Sequence, residues 1–411
     1  MTRSAIDIHR HVGILKLIFT EVPLAGRRPP RHHAADPRGC RRAAQLRRPT
    51  GGRRFITRRP HGRPGLIVCL RDTDYPADPY PGGVPECSFV HLDEASYPLR
   101  PDPSALAAWR VGAVDLDDWL AERSAAPMAS RLPVLAYGSN RCPSKITWLR
   151  DQLGLAGPVV VLRTVTRGVA AVWTTGVRER DGQRPAVLAA APGVTEHHSV
   201  WLATADQVSV LDRCEERGKR YRLARPRIQA RTEDGALIER PWCYMALCEH
   251  RRPLLVDGAP VRCADLAQHE ALLLSGTPAT TDGLDAEDVS GEPHPDQWPA
   301  ALFGYGLLQP GRSGWPMVAP YVAGPPRPAS AFGTVYDTGL GWPAMMLGTE
   351  PAVPGTLVPL CDPASLLPTL DRYEGPDYQR VRLVLAENGA VAWAYAWVGA
   401  TAGLRPFAPA K

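Results

Sequence analysis

Two short peptides, "VLDRCE" ending at Glu215 and "TLDRYE" ending at Glu374, place a carboxylate after an apolar stretch. Leu211 and Leu370 lie four residues before these glutamates, so on a helix each carboxylate shares a face with a core-directed leucine. An inward-aimed carboxylate either pairs with a cation, for which Arg213 and Arg372 are the nearest in sequence, or has its pKa raised by desolvation. The second course prepares it for proton transfer near neutral pH. A second set of residues bears on that choice. In "PVLAYGSN", residues 133–140, an apolar run breaks at Gly138-Ser139-Asn140, and "ALFGYGLL", residues 301–308, does nearly the same. Strand-to-turn geometry of this kind offers backbone N–H groups to an anion. An anion cradle beside a buried base describes a site for a small amino acid derivative.

These groups need elements to hold them. "LPVLAY" and "PAALFGY" read as buried strands feeding tight turns. Thr204 and Gln207 have capping-box spacing ahead of Glu215, and Asp362-Pro363 sets a capping acid before a first-turn proline ahead of Glu374. Two helices of about three turns are therefore predicted, each ending at its glutamate. "RPRIQARTEDGALIERPWCYM" and "RVRLVLAENGAVAWAYAW" read as hairpins around Asp234-Gly235 and Asn388-Gly389.

The landmarks recur in one order. After the first Tyr-Gly turn come Pro192-Gly193, Glu215, Asp234-Gly235 and Trp242-Cys243-Tyr244. After the second come Pro354-Gly355, Glu374, Asn388-Gly389 and Trp393-Ala394-Tyr395. Tyr137 to Glu215 is 78 residues and Tyr305 to Glu374 is 69, so the copies differ by loop length. Each is about the size of one small domain.

The remaining chain is unlike the repeat. Residues 1–72 hold 17 Lys or Arg against 4 Asp or Glu, a net of +13, so the other 339 residues sum to −7 within the overall +6. This Arg/Pro-rich tail cannot bury enough apolar surface to offset its ordering entropy and is expected to be disordered. Another reading is translated upstream sequence from a GC-rich genome, with the natural start near Val68. Nucleic-acid binding is disfavoured, since the tail lacks interleaved aromatics. "GILKLIF" is too short for a membrane span and Asp7 spoils a signal peptide's flank, so a cytoplasmic protein with no membrane partner is expected. Nine cysteines without a C-x-x-C pair argue against a disulfide framework or a zinc knuckle. Cys243, Cys248 and His250 are close in sequence, but Cys243 falls in a strand pattern, and His197-His198 point to opposite faces of a strand. No metal is expected.

Residues 73–131 read as an extended arm carrying a short helix, with Asp115 as cap and Leu116, Trp119 and Leu120 apolar. "PVRCADLAQHEALLLSG" reads as a helix closing the first repeat (132–275), residues 276–298 as an acidic linker, and 299–402 as the second repeat.

"AYGSN" with "LDRCE" resembles the first half of the γ-glutamylcyclotransferase-like superfamily signature, a Tyr-Gly-Ser or Tyr-Gly-Thr turn followed by an LDxxE helix end. "FGYGLLQPG", "VPGTLVPLCDPASLLPTLDRYEGPDYQRVRL" and "AWAYAW" resemble its smaller branch, which includes the γ-glutamylamine cyclotransferases. The resemblance covers roughly residues 132–400. It implies an α+β chain of two tandem mixed β-barrels with flanking helices. The implied reaction is intramolecular aminolysis, in which the α-amino group of a γ-glutamyl amino acid or amine attacks its own γ-carbonyl and releases 5-oxoproline, without cofactor. Carried over, Glu215 and Glu374 are the acid/base residues. Tyr137, Gly138, Ser139 and Asn140, and Tyr305, Gly306, Leu307 and Leu308, contact the γ-glutamyl head. Tyr221 and Tyr378 hydrogen-bond across the pockets or serve as half-buried aromatics.

Leu307 stands where the superfamily has Ser or Thr, so the second cradle lacks a hydroxyl. "EERGKRY" brings positive charge near the first mouth, which suits an acidic substrate. The competing reading is a non-catalytic small-molecule-binding or scaffold protein that keeps the fold, with at least the second copy degenerate.

Overall fold

A computed structural model describes residues 69–406. The expectations for the basic tail lie almost wholly outside the described residues. No helix among those described is long and apolar enough to cross a membrane.

The first half is built on a sheet of thirteen strands. Its elements are β1 (Phe89–Leu92), β2 (Ala95–Pro101), α1 (Leu116–Ala121), β3 (Leu132–Ala136), α2 (Pro143–Leu153), β4 (Val159–Trp173), β5 (Ala186–Ala203), α3 (Ala205–Glu215), β6 (Tyr221–Pro226), β7 (Gln229–Thr232), β8 (Trp242–Ala246) and β9 (Ala286–Asp288). The main order is β9-β6-β8-β3-β5-β4-β1-β2, continued by residues 109–111 and 114–115. All five residues of β3, Leu-Pro-Val-Leu-Ala, are buried, as a strand covered on both faces requires.

The second half holds β10 (Ala301–Gly304), β11 (Arg327–Ala331), β12 (Gly333–Asp337), β13 (Pro343–Leu347), β14 (Val353–Pro359), α4 (Pro363–Glu374), β15 (Tyr378–Val384) and β16 (Val391–Trp397). Its main sheet runs β11-β14-β10-β16-β15, with β12 and β13 in a separate ladder.

Four strands occupy the same places in both sheets: β6-β8-β3-β5 and β15-β16-β10-β14. In each, the strand feeding the Tyr-Gly turn runs parallel to the Trp-x-Tyr strand and antiparallel to the strand before the glutamate helix. The register agrees to the residue. Trp242 pairs with Val134, three before Tyr137, and Trp393 pairs with Leu302, three before Tyr305. The Pro-Gly landmark does not align in this way. Ala136 pairs with Ser199, seven residues after Pro192, whereas Gly304 pairs with Thr356, two after Pro354.

The expected barrels are not formed, because neither ladder closes. The outer edge of β4 takes β1 (Phe89 opposite Val161) instead of curling back to β6. Residues 73–131 thus extend the sheet rather than lying along it, while their short helix forms as expected, with Asp115 accepting from the Asp117 amide. In the second sheet β11 and β15 stay as unpaired edges. The helix expected across residues 260–276 amounts to a single turn, Gln268–Ala271. Residues 286–288, within the segment read as a linker, join the first sheet against β6.

The halves are packed together. Arg382 of β15 is held by the carbonyls of Met128, Ala129 and Pro295 at 2.9, 2.9 and 3.2 Å, with its guanidinium over the rings of Trp298 and Trp393. The two corresponding hairpin turns also meet, as the Leu237 amide donates to the Gly389 carbonyl at 2.7 Å.

Candidate active sites

Both glutamate helices form as their caps dictate. Thr204 and Gln207 make the reciprocal capping box of α3, and Asp362 accepts from the Ser365 amide of α4. The helices span 11 and 12 residues, and each glutamate is the last helical residue. There the negative pole of the helix dipole disfavours a carboxylate.

Neither arginine neighbour pairs with these glutamates. Arg213 donates to the carbonyls of Ser209 and Leu153, and Arg372 to the Thr369 hydroxyl. The carboxyls open instead into cavities. In the first, of about 70 Å³, Glu215 faces the Tyr137-Gly138-Ser139-Asn140 turn. The Asn140 side-chain amide donates to Glu215 Oε1 at 2.8 Å, and the Asn140 carbonyl is fixed by Trp201 Nε1 at 2.7 Å. Burial pushes the Glu215 carboxyl up, opposed by Asn140 and by the charges of Lys145, Arg251 and Arg178.

The second cavity, of about 250 Å³, is lined by Glu374 and by the Tyr305-Gly306-Leu307-Leu308 turn. Burial alone pushes the Glu374 carboxyl up to about 7. Tyr378 donates across this cavity to the Pro343 carbonyl at 2.7 Å. Tyr221 lines the first cavity, but its hydroxyl makes no hydrogen bond among the described residues.

A relay that the sequence reading missed repeats in both halves. Tyr137 donates to the Tyr244 carbonyl at 2.6 Å, and Tyr244 donates to Asp212 at 2.6 Å. Tyr305 donates to the Tyr395 carbonyl at 2.9 Å, and Tyr395 to Asp371 at 2.8 Å. The aspartate of each "LDRxE" thereby fixes the tyrosine whose backbone positions the turn. The signal was present as the Trp-x-Tyr landmark, but its role depends on the parallel pairing of β3 with β8 and β10 with β16.

The turn glycines are needed for space. A Cβ at Gly138 would lie 2.5 Å from the Tyr80 hydroxyl, and one at Gly306 would lie 2.7 Å from Pro343 Cγ. Gly306→Ala is therefore expected to push Pro343 into the second cavity and lower kcat/KM there by about tenfold or more. The unfolding midpoint should change little; steady-state rates beside a melt check both halves of that statement.

The cavities differ in charge. Lys145, Arg178, Arg180, Arg220 and Arg251 line the first, with Glu215 as the facing carboxylate. Among the described residues no cation lines the second, whose wall includes Phe303, Trp342, Tyr373 and Asp377. Arg220 belongs to the basic peptide noted in the sequence. The other four come from α2 and two distant loops and gave no local signal. Among the described residues, no group of His, Cys, Asp or Glu could hold a metal ion, and the cysteines are free.

Residues 302–409 match the family described as "Gamma-glutamyl cyclotransferase, AIG2-like", which places a domain of that kind in the second half. No curated protein matches the chain. Solved structures that are distantly similar include the following three. The uncharacterized protein loc79017 from Homo sapiens is 15% identical with a TM-score of 0.25, over 29% of this chain and 68% of that one. A structure named Gamma-glutamyl cyclotransferase is 15% identical with a TM-score of 0.24, over 28% and 66%. YkqA from Bacillus subtilis is 13% identical with a TM-score of 0.20, over 65% and 84%.

Proposed function

We propose that the chain is a tandem γ-glutamylcyclotransferase-like enzyme with one site at Glu215 and another at Glu374, releasing 5-oxoproline from γ-glutamyl amino acids or amines. One observation carries this reading: each glutamate shares a cavity with a Tyr-Gly turn and, among the described residues, is left without an ion pair. The family match supports it for the second half. The common strand order and register support a duplication, with the first copy of Tyr-Gly-Ser-Asn type at 132–275 and the second, nearer the γ-glutamylamine branch, at 299–402.

In the proposed reaction the turn amides hold the γ-glutamyl head so that its α-nitrogen approaches Cδ, the carbon of the γ-carbonyl. The α-ammonium gives up one proton to water, the free amine attacks Cδ, and the glutamate takes a second proton from that nitrogen as the N–Cδ bond forms. The bond from Cδ to the departing nitrogen then breaks as the glutamate passes this proton to it, releasing 5-oxoproline and the free amine. The carboxylate must be ionised to begin, and a pKa near neutrality serves both transfers. Leu307 removes a hydroxyl from the second cradle, while the backbone amides remain.

In a Glu215→Gln chain, kcat/KM for a neutral γ-glutamylamine is expected to rise with pH through an apparent pKa of about 7, where Glu374 ionises. A profile flat from pH 5.5 to 8.5 contradicts that assignment. The function itself is tested by 5-oxoproline release from a panel of γ-glutamyl amino acids and amines. Release from none of them would return the chain to the binding or scaffold reading.

A further inference from the structure

Two cations of the first cavity share Glu215 as their facing carboxylate, and among the described residues neither makes a close ion pair. Lys145 is 5% exposed and its Nζ has no hydrogen-bond partner, resting 3.3 Å from the centre of the Trp148 ring. Arg251 is 6% exposed, its Nε is likewise unpartnered, and it makes no ion pair among the described residues. The other lining arginines are engaged: Arg178 and Arg180 with Asp181, Arg220 with Glu216. A buried charge without a partner is costly, and the ring stack at Lys145 offsets part of that cost. Such an arrangement suits a ligand that supplies the missing anions.

We propose that Lys145 and Arg251 form an anion subsite in the first cavity, selecting γ-glutamyl compounds whose departing amine carries two negative charges, as a dicarboxylate or a phosphate. This rests on the cyclotransferase reading for the site. The backbone cradle serves the single carboxylate of the γ-glutamyl head, so the two side-chain cations fall to the departing group. The second cavity has, among the described residues, no lining cation and two carboxylates, Glu374 and Asp377, and excludes such compounds by charge.

The test uses the full chain carrying Glu374→Gln, so that only the first site turns over. The probes are γ-glutamylglutamate, γ-glutamyl-phosphoethanolamine and γ-glutamylpropylamine. At least one dianionic probe is expected to exceed the neutral one in kcat/KM by about 30-fold, the better of the two identifying the natural acid group. Lys145→Met and Arg251→Met are each expected to lower the ratio of dianionic to neutral kcat/KM about tenfold, whatever they do to turnover of the neutral probe through Glu215, with Lys145→Arg restoring most of the ratio. Because methionine removes an unpartnered buried charge, the melting temperature of Lys145→Met should equal or exceed that of the parent. A preference ratio unmoved by both methionine variants, or a lowered melting temperature with all probes affected alike, overturns the subsite. If no probe is turned over, the cyclotransferase reading fails on its own. Calorimetric binding of γ-glutamylglutamate then decides the subsite: binding weakened tenfold in Lys145→Met upholds it, and binding that is absent or unaltered overturns it.

Discussion

Glu374→Gln is expected to lower 5-oxoproline release at the second site by roughly a thousandfold, within the range that a positioned acid/base group supplies. Glutamine keeps the shape of the side chain and loses only the proton transfer, so KM should change little. Stability should move the other way. Burial raises the folded-state pKa of Glu374 from 4.5 to about 7. The group therefore contributes stability that is complete below its unfolded pKa and is lost as pH rises through 7. At pH 8 the carboxylate is held at a cost of roughly 3 kcal/mol, which glutamine does not incur. The variant is expected to be inactive at its second site yet more stable than the parent above pH 7 and no more stable at pH 4. A variant that loses activity together with stability at pH 8 would point to a structural glutamate.

Arg382→Ala has the largest expected effect on stability. It strips three carbonyls, those of Met128, Ala129 and Pro295, of a shared donor and empties the space between Trp298 and Trp393. Leaving buried acceptors unpaired where the halves meet is expected to cost about 3–5 kcal/mol. Because these contacts join the second sheet to the segment ahead of β3, denaturant unfolding should also separate into two transitions as the halves lose their coupling. An unchanged single midpoint would mean that the halves are held by other contacts. Arg382→Lys should recover little, since one ammonium cannot serve three carbonyls in the fork geometry.

What could be read in the sequence was local. The starts of the helices that end at Glu215 and Glu374 followed from Thr204, Gln207 and Asp362, whose capping chemistry acts within one turn. Asp234-Gly235 and Asn388-Gly389 marked real hairpins because φ is positive at both glycines. What failed was non-local. Barrel closure depends on which strand meets the free edge of β4, and nothing in "VVVLRTV" specifies β1 over β6. Pro192-Gly193 resembled Pro354-Gly355 in type alone and sits elsewhere in register. The site divides in the same way. The turn residues and glutamates were visible as peptides, whereas Lys145, Arg178, Arg180 and Arg251 converge only after a hairpin of two long strands and the packing of α2 bring three segments to one cavity. Asp212 and Asp371 stood inside the quoted peptides, and their tyrosine partners inside the Trp-x-Tyr landmark. Only the parallel strand pair joins them.

The central claim is that both glutamates perform the proton transfer, each in its own cavity. The most direct measurement is 5-oxoproline release by four full-length chains: the parent, Glu215→Gln, Glu374→Gln and the double variant, each given γ-glutamylglutamate and γ-glutamylpropylamine. The expected result is that Glu374→Gln keeps release from the dianionic compound and retains only the slower release from the neutral one, Glu215→Gln keeps the neutral compound and loses the dianionic one, and the double variant releases neither. A double variant that matches the parent on either compound would contradict the claim.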